Sequence, residues 1–299
     1  MSKIPPLAQE LIDYQPKTPF FVGIDSDGCA FDAMELKQKE CFIPSTIRVW
    51  GLQPISKYAR ETAEWVNLYS RWRGANRWPA LAKVFELLAE RPEVQARGVH
   101  VPDPKALKEF IASGYSPSEA GLKAYIASGH GEEELWPGLE WTRAIDSLVA
   151  ATVRNVPPFP YVRQCLQKLQ GKADLMVVST TASDALTREW GEHGLAQYMA
   201  LIAGQDKGTK KQHLEFTAKG KYNDDRILMI GDAPGDRDAA HAVNALFYPI
   251  NPGSEERSWQ RLFEEASEKF LNGTYAGAYE AGLIAEFEKL LSDTPPWQP

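Results

Sequence analysis

Residues 20–28 read Phe20-Phe21-Val22-Gly23-Ile24-Asp25-Ser26-Asp27-Gly28, an uncharged run that stops abruptly at two carboxylates and a glycine. Continuous apolar residues over about five positions, ended by Asp and Gly, predict a strand buried on both faces. Two later stretches share the pattern. Asp174-Leu175-Met176-Val177-Val178 ends at Ser179-Thr180-Thr181, and Arg226-Ile227-Leu228-Met229-Ile230 ends at Gly231-Asp232. Ala200-Leu201-Ile202-Ala203 and Ala245-Leu246-Phe247-Tyr248 are weaker runs of the same kind.

Helical patterns separate these strands. Tyr161 to Leu169 places Val162, Cys165, Leu166 and Leu169 at 3–4 spacing, and further helices are expected over Ser183 to His193 and Lys210 to Lys219. Alternation of helix and strand from about residue 155 onward predicts a parallel sheet covered on both sides. In such sheets ligands lie beyond the carboxyl ends of the strands. All three polar punctuations fall there.

Residues 33–154 read differently. Helical periodicity marks Ala80 to Leu88, Pro104 to Ala112, Ser118 to Ser128 and Trp136 to Thr152, with no buried strand among them. A helical block inserted after the first strand of an α/β sheet predicts a separate cap subdomain over 33–154. The core is then discontinuous, built from 1–32 and 155–299. Pro157-Pro158-Phe159-Pro160 marks the return to it, because successive prolines forbid helix continuation. Two more helices follow Asn251-Pro252-Gly253-Ser254, near 255–271 and 277–291. The tail Thr294 to Pro299 is expected to be frayed, or packed only through Trp297.

Composition narrows the class. With 43 % hydrophobic residues the chain can fill a real core, which excludes wholesale disorder. A formal charge of −7 without a basic block argues against nucleic acid or an anionic membrane as partner. A small anionic ligand is still compatible, because a local site can oppose the net sign. The cysteines Cys29, Cys41 and Cys165 are too few and too far apart for a disulfide framework or a CxxC clip. The first residues, MSKIPPLAQELIDYQP, lack the apolar stretch of a signal peptide, and no run of about 18 apolar residues occurs. These features predict a soluble, cytoplasmic protein.

The chemistry is expected at the acidic punctuations. Asp25 and Asp27 repel each other unless a proton or cation is shared, and an oxygen-preferring divalent ion resolves that conflict. Asp232 and Asp236, in Gly231-Asp232-Ala233-Pro234-Gly235-Asp236, reach the same sheet edge. Converging carboxylates are easier to explain with a metal than without one. Ser179 and Thr180 offer hydroxyls and backbone amides at a helix start, which suits a phosphate, although either also serves as an ordinary N-cap. Lys207, Lys210 and Lys211 crowd the loop before the next helix, and any of the three is a candidate to neutralise a phosphoryl group. In the helical block, Arg71-Trp72-Arg73-Gly74-Ala75-Asn76-Arg77-Trp78 is dense in guanidinium and aromatic groups. If helical, Arg73 and Arg77 share a face and would bind an anionic or sugar-like leaving group. The commoner fate of such residues is salt bridging around a tryptophan-packed core.

In chain order these pieces resemble the haloacid dehalogenase superfamily of phosphohydrolases. The matching residues are Asp25-Ser26-Asp27-Gly28 after a strand, Ser179 after a second strand, Lys210 before a helix, and Gly231 to Asp236 as a complete GDxxxD. The resemblance covers about 16–32 and 155–250, and implies a Rossmann-like three-layer α/β core with an all-helical cap. It implies Asp25 as nucleophile, forming an aspartyl-phosphate, and Asp27 as general acid and base. Mg²⁺ would be held by Asp25, the Asp27 carbonyl and Asp232. Ser179, Thr180 and Lys210 would bind phosphate, with Asp236 in support. Asp27 favours a phosphatase of small phosphorylated metabolites over the dehalogenases and phosphonatases, which lack that residue. Substrate choice is expected from the cap. The competing readings are a phosphomutase of the same superfamily and a noncatalytic phospho-ligand-binding protein; a phosphoacceptor signalling module would need no such cap. One departure is Cys29, where the family usually has Thr; it reads as a small buried filler.

Overall fold

The structure is a computed structural model that describes residue 5 and residues 7–298. Five strands form one sheet: β1 (Phe20–Ile24), β2 (Ala173–Val178), β3 (Leu201–Ala203), β4 (Ile227–Gly231) and β5 (Leu246–Pro249). Their order is β3-β2-β1-β4-β5, and every neighbouring pair is parallel. β1 is central, with Val22 opposite Leu175 on one side and Leu228 on the other. All positions of β2 and β4 are buried, as expected of runs that are apolar throughout except for Asp174 in β2.

Parallel neighbours need long crossovers, and the helices α1 (Val162–Leu169), α2 (Ser183–Glu192), α3 (Lys210–Thr217) and α4 (Pro234–His241) lie on them, while α5 (Ala278–Glu288) follows the last strand. Phe21, Met176, Val178, Met229 and Phe247 join one apolar cluster with Leu214 of α3, Ala239 and Ala240 of α4, and Phe287 of α5. The alternate residues Val22, Ile24, Leu175, Val177, Leu228 and Ile230 are buried outside that cluster, on the opposite face. The result is a three-layer Rossmann-like α/β body. After β3 the chain crosses back through α3 to β4, on the far side of β1. The switch in direction therefore opens beside the end of β1.

The chain divides into two compact units. The sheet unit holds the residues up to Met34 with Asn155–Leu291, and the helical unit holds Glu35–Arg154 with the segment from Ser292. Within the helical unit, helices Arg77–Glu90, Lys105–Ala112, Glu119–Ala127 and Glu132–Thr152 stand where periodicity placed them. Its interior is aromatic, with Trp78 edge-on to Trp141 at 5.4 Å and Trp50 edge-on to Phe85 at 5.0 Å.

The segment from Ser292 departs from expectation in two respects. It belongs with the helical unit rather than with the sheet, and it is held by more than Trp297. Ser292 forms a parallel bridge with Ser70, Asp293 pairs with Arg71 at 3.1 Å, and Pro295 is buried. Trp297 packs edge-on against Trp65 at 5.8 Å, and the Arg91 guanidinium lies 4.4 Å from the Trp297 ring and 4.8 Å from the Tyr58 ring. Apolar and cation–π contacts offset the ordering entropy that would otherwise leave such a segment loose. Pro299 lies outside the described residues.

Candidate active site

Three adjacent strands, β2, β1 and β4, end together, and each delivers a polar loop there. The loop after β1 is closed by hydrogen bonds from the backbone N–H groups of Cys29, Ala30 and Phe31 to the Ser26 carbonyl, at 3.3, 2.9 and 3.0 Å. Gly28 takes φ of +76°, the left-handed conformation that glycine adopts without strain. The Asp25 N–H donates to the Ile230 carbonyl of β4 at 3.0 Å, and its carboxylate Oδ1 accepts from the Ser26 N–H at 2.8 Å.

Asp25, Asp232 and Asp236 are buried and converge: one carboxylate oxygen from each lies within 4.8 Å of the others. Gly231 makes this approach possible. A Cβ there would lie 2.3 Å from Cγ of Asp236, so only glycine lets that carboxylate fold back over the end of β4. The Asp236 Oδ2 then accepts the Ala233 N–H at 3.1 Å, closing the first turn of α4.

Lys210 enters from the first turn of α3, which Thr209 and Gln212 fix by a reciprocal capping box. Its ammonium donates to Asp25 Oδ2 at 2.7 Å and to Asp236 Oδ1 at 2.6 Å. Burial alone would lower the Lys210 pKa, but Asp236 and Asp25 together override it and hold the ammonium well above its usual range. Burial pushes the Asp236 carboxyl upward, with Lys210 pulling the other way. The other two lysines are engaged elsewhere. Lys207 donates to the Ile202 carbonyl at 2.7 Å and pairs with Glu10, and Lys211 is an exposed partner of Glu215.

Asp27 stands apart from the carboxylate triad. Its Oδ2 accepts the Thr181 hydroxyl at 2.8 Å. Ser179 is buried at the end of β2, its N–H donating to the Ala203 carbonyl at 3.0 Å and its Oγ accepting the Thr181 N–H at 3.3 Å. Thr180 is exposed. Thr181, absent from the sequence-derived candidates, is thus the hydroxyl of this loop that reaches an acidic residue. Cys29 is fully buried and donates to the Ile230 carbonyl at 3.6 Å. Burial, then the nearby Asp232 and Asp25, push its thiol far up, so it stays protonated.

The arginine pair needs correction in one respect. Helix Arg77–Glu90 starts at Asn76, whose side chain accepts the Trp78 N–H, so Arg73 lies outside the helix and shares no helical face with Arg77. Arg77 donates to Thr142 at 2.7 Å and Asp146 at 3.0 Å and lies over Phe42, within the helical unit. Arg73 is buried and donates to the Leu68 carbonyl at 3.0 Å.

Three carboxyl groups converge on this buried cluster, where a single ammonium, that of Lys210, contacts Asp25 and Asp236. An anionic pocket of that kind is unfavourable unless a cation shares it. The converging donors are all oxygen, with neither imidazole nor thiolate among them, which fits a hard divalent ion such as Mg²⁺.

Comparison with known proteins adds a lineage. The family model described as haloacid dehalogenase-like hydrolase matches residues 94–248, a span that contains Ser179, Lys210, Asp232 and Asp236 and begins after Asp25 and Asp27. No curated protein matches the chain. Among solved structures, a β-phosphoglucomutase from Clostridium difficile aligns with a TM-score of 0.49 at 15 % identity, covering 85 % of this chain and 98 % of that one. A haloacid dehalogenase-like hydrolase from Streptococcus pneumoniae aligns with a TM-score of 0.42 at 13 % identity, over 81 % and 90 %. An L-2-haloacid dehalogenase from Xanthobacter autotrophicus gives 0.38 at 15 % identity, over 87 % and 85 %.

Proposed function

The chain belongs to the haloacid dehalogenase-like hydrolases, and from that premise we propose that it is a Mg²⁺-dependent phosphatase of small phosphorylated metabolites that works through an aspartyl-phosphate. The observation that carries this reading is the junction of Asp25, Lys210 and Asp236 beside Asp232, at the ends of β1 and β4.

In the proposed reaction Asp25 attacks phosphorus and the alkoxide leaves. Asp27, held by Thr181, protonates that alkoxide and then takes a proton from the water that hydrolyses the acyl phosphate. Using one carboxyl for both proton transfers is ordinary general acid–base chemistry, worth about 10²–10⁴-fold. Ser179 and Lys210 hold the non-bridging oxygens, and Asp236 keeps the Lys210 ammonium aimed at the nucleophile. A magnesium ion held by the Asp25 and Asp232 carboxylates and the Asp27 carbonyl would neutralise charge between nucleophile and phosphoryl group. The remaining work is positioning and electrostatic stabilisation, as phosphoryl transfer requires.

Phosphate release from a panel of metabolite phosphates, with Mg²⁺ and with EDTA, tests the reading. We expect turnover of at least one ester that EDTA abolishes, and a loss of at least about 10³-fold in Asp25→Asn with the far-ultraviolet spectrum unchanged. Activity retained in Asp25→Asn, or a panel silent in the presence of Mg²⁺, would sink it.

A further inference from the structure

Ser26, between the two carboxylates, is fully buried and bonded on both sides by adjacent residues of α2. Its hydroxyl donates to Glu189 Oε2 at 2.9 Å and accepts the Trp190 indole N–H at 3.0 Å. A serine hydroxyl has one proton to give, so this pair of partners fixes its orientation. The Trp190 ring also packs edge-on against Phe31, the last residue of the same loop, at 5.4 Å.

Glu189 is buried on the inner face of α2, beside Leu186 and Trp190. A carboxylate in such a place is costly, and an apolar side chain of similar size would stabilise the helix contact at least as well. Whatever Glu189 contributes to the stability of α2, it meets Ser26 and Trp190 at one hydroxyl. Their effect falls on the loop. The backbone N–H of Ser26 orients the Asp25 carboxylate, its carbonyl gathers the three amides that close the turn, and the next residue is Asp27. The loop that precedes α2 holds Asp27 through Thr181. Helix α2 and its leading loop thus grip both acidic residues, from positions more than 150 residues distant in sequence.

We propose that Glu189 is a positioning residue, which with Trp190 locks the Ser26 hydroxyl and so holds Asp25 and Asp27 at their working separation. The inference rests on the phosphatase reading for its kinetic consequence but not for its structural one.

The test compares Glu189→Leu, Glu189→Gln and Ser26→Ala in the full-length protein. Glu189→Gln keeps an oxygen that accepts the Ser26 hydroxyl. In Glu189→Leu and Ser26→Ala, kcat should fall by about 10–100-fold with KM within about threefold, since a displacement near 1 Å carries losses of that size. Glu189→Gln should recover most of the loss. Amide hydrogen exchange is followed in parallel, and protection of Cys29, Ala30 and Phe31 should drop in Glu189→Leu while strand β1 stays protected. Unchanged exchange in that loop, or Glu189→Leu turning over like the wild type, would overturn the proposal. So would Glu189→Gln behaving as badly as Glu189→Leu. A wild-type protein inactive on every ester would refute the phosphatase reading instead, and the exchange measurement would still decide the role of Glu189.

Discussion

Asp27 accepts a hydroxyl from Thr181 while Asp25 accepts an ammonium from Lys210, so the two carboxyls of one short loop sit in different surroundings. That asymmetry suits one nucleophile and one proton carrier. Asp27→Ala should therefore lower kcat by about 10²–10⁴-fold on an alkyl phosphate, whose leaving group needs a proton. On p-nitrophenyl phosphate the loss should be far smaller, and equal losses in a side-by-side assay would remove Asp27 from the acid role. The carboxylates themselves were legible in the sequence because each follows an apolar strand. The lysine was legible only through the family resemblance, which singled out Lys210; taken alone, the residues leave Lys207, Lys210 and Lys211 open, because only the phase of α3 brings one of them to Asp25 and Asp236. Thr181 was hidden for a similar reason. Which of three consecutive hydroxyls faces Asp27 depends on backbone dihedrals after β2 that composition does not encode.

At the scale of elements, α3 carries two buried groups of opposite habit. Lys210 is held charged by its carboxylates, whereas His213, one turn later, is fully buried and burial pushes its pKa down to about 4. An unfolded chain takes up that imidazole proton near pH 6.5, and the folded one resists until about pH 4. Between those values the unfolded state binds more protons, so stability is present above the window and is lost as pH falls through it. The cost at the acid end is on the order of 3 kcal/mol. His213→Leu should flatten the dependence of Tm on pH between about 6.5 and 4; the same slope in both proteins would exclude His213 as its source. The strands and crossover helices were readable because period and punctuation agree along each of them. The turns of π-helix at Lys37–Phe42, Trp65–Tyr69 and Leu262–Ala266 were not, since one extra residue within a helix leaves the hydrophobic pattern almost unchanged.

For the whole molecule, the informative feature is where the chain passes between its units. It leaves the sheet unit after Met34, returns at Asn155, and leaves again at Ser292. The first two passages were legible, the second flagged by the Pro157-Pro158 stretch. The third was not, because a segment with three prolines among its last eight residues reads as loose until the partners of Trp297, Trp65 and Arg91, are known. Trp297→Ala removes a cation–π contact of Arg91 and the edge contact to Trp65, and should destabilise the helical unit by about 1–3 kcal/mol. Denaturant unfolding followed by tryptophan fluorescence would register this as a lower midpoint, and an unmoved midpoint would mean that the docked segment adds nothing. No helix among the described residues is long and apolar enough to cross a membrane.

That third passage also bears on biosynthesis. A ribosome releases residues 35–154 long before residue 297, so the nascent helical unit must wait, with Trp65 and Arg91 lacking their Trp297 contacts, while residues 155–291, the larger part of the sheet unit, are translated. Chaperone demand, and sensitivity to premature termination near codon 292, should both trace back to those few residues made so late.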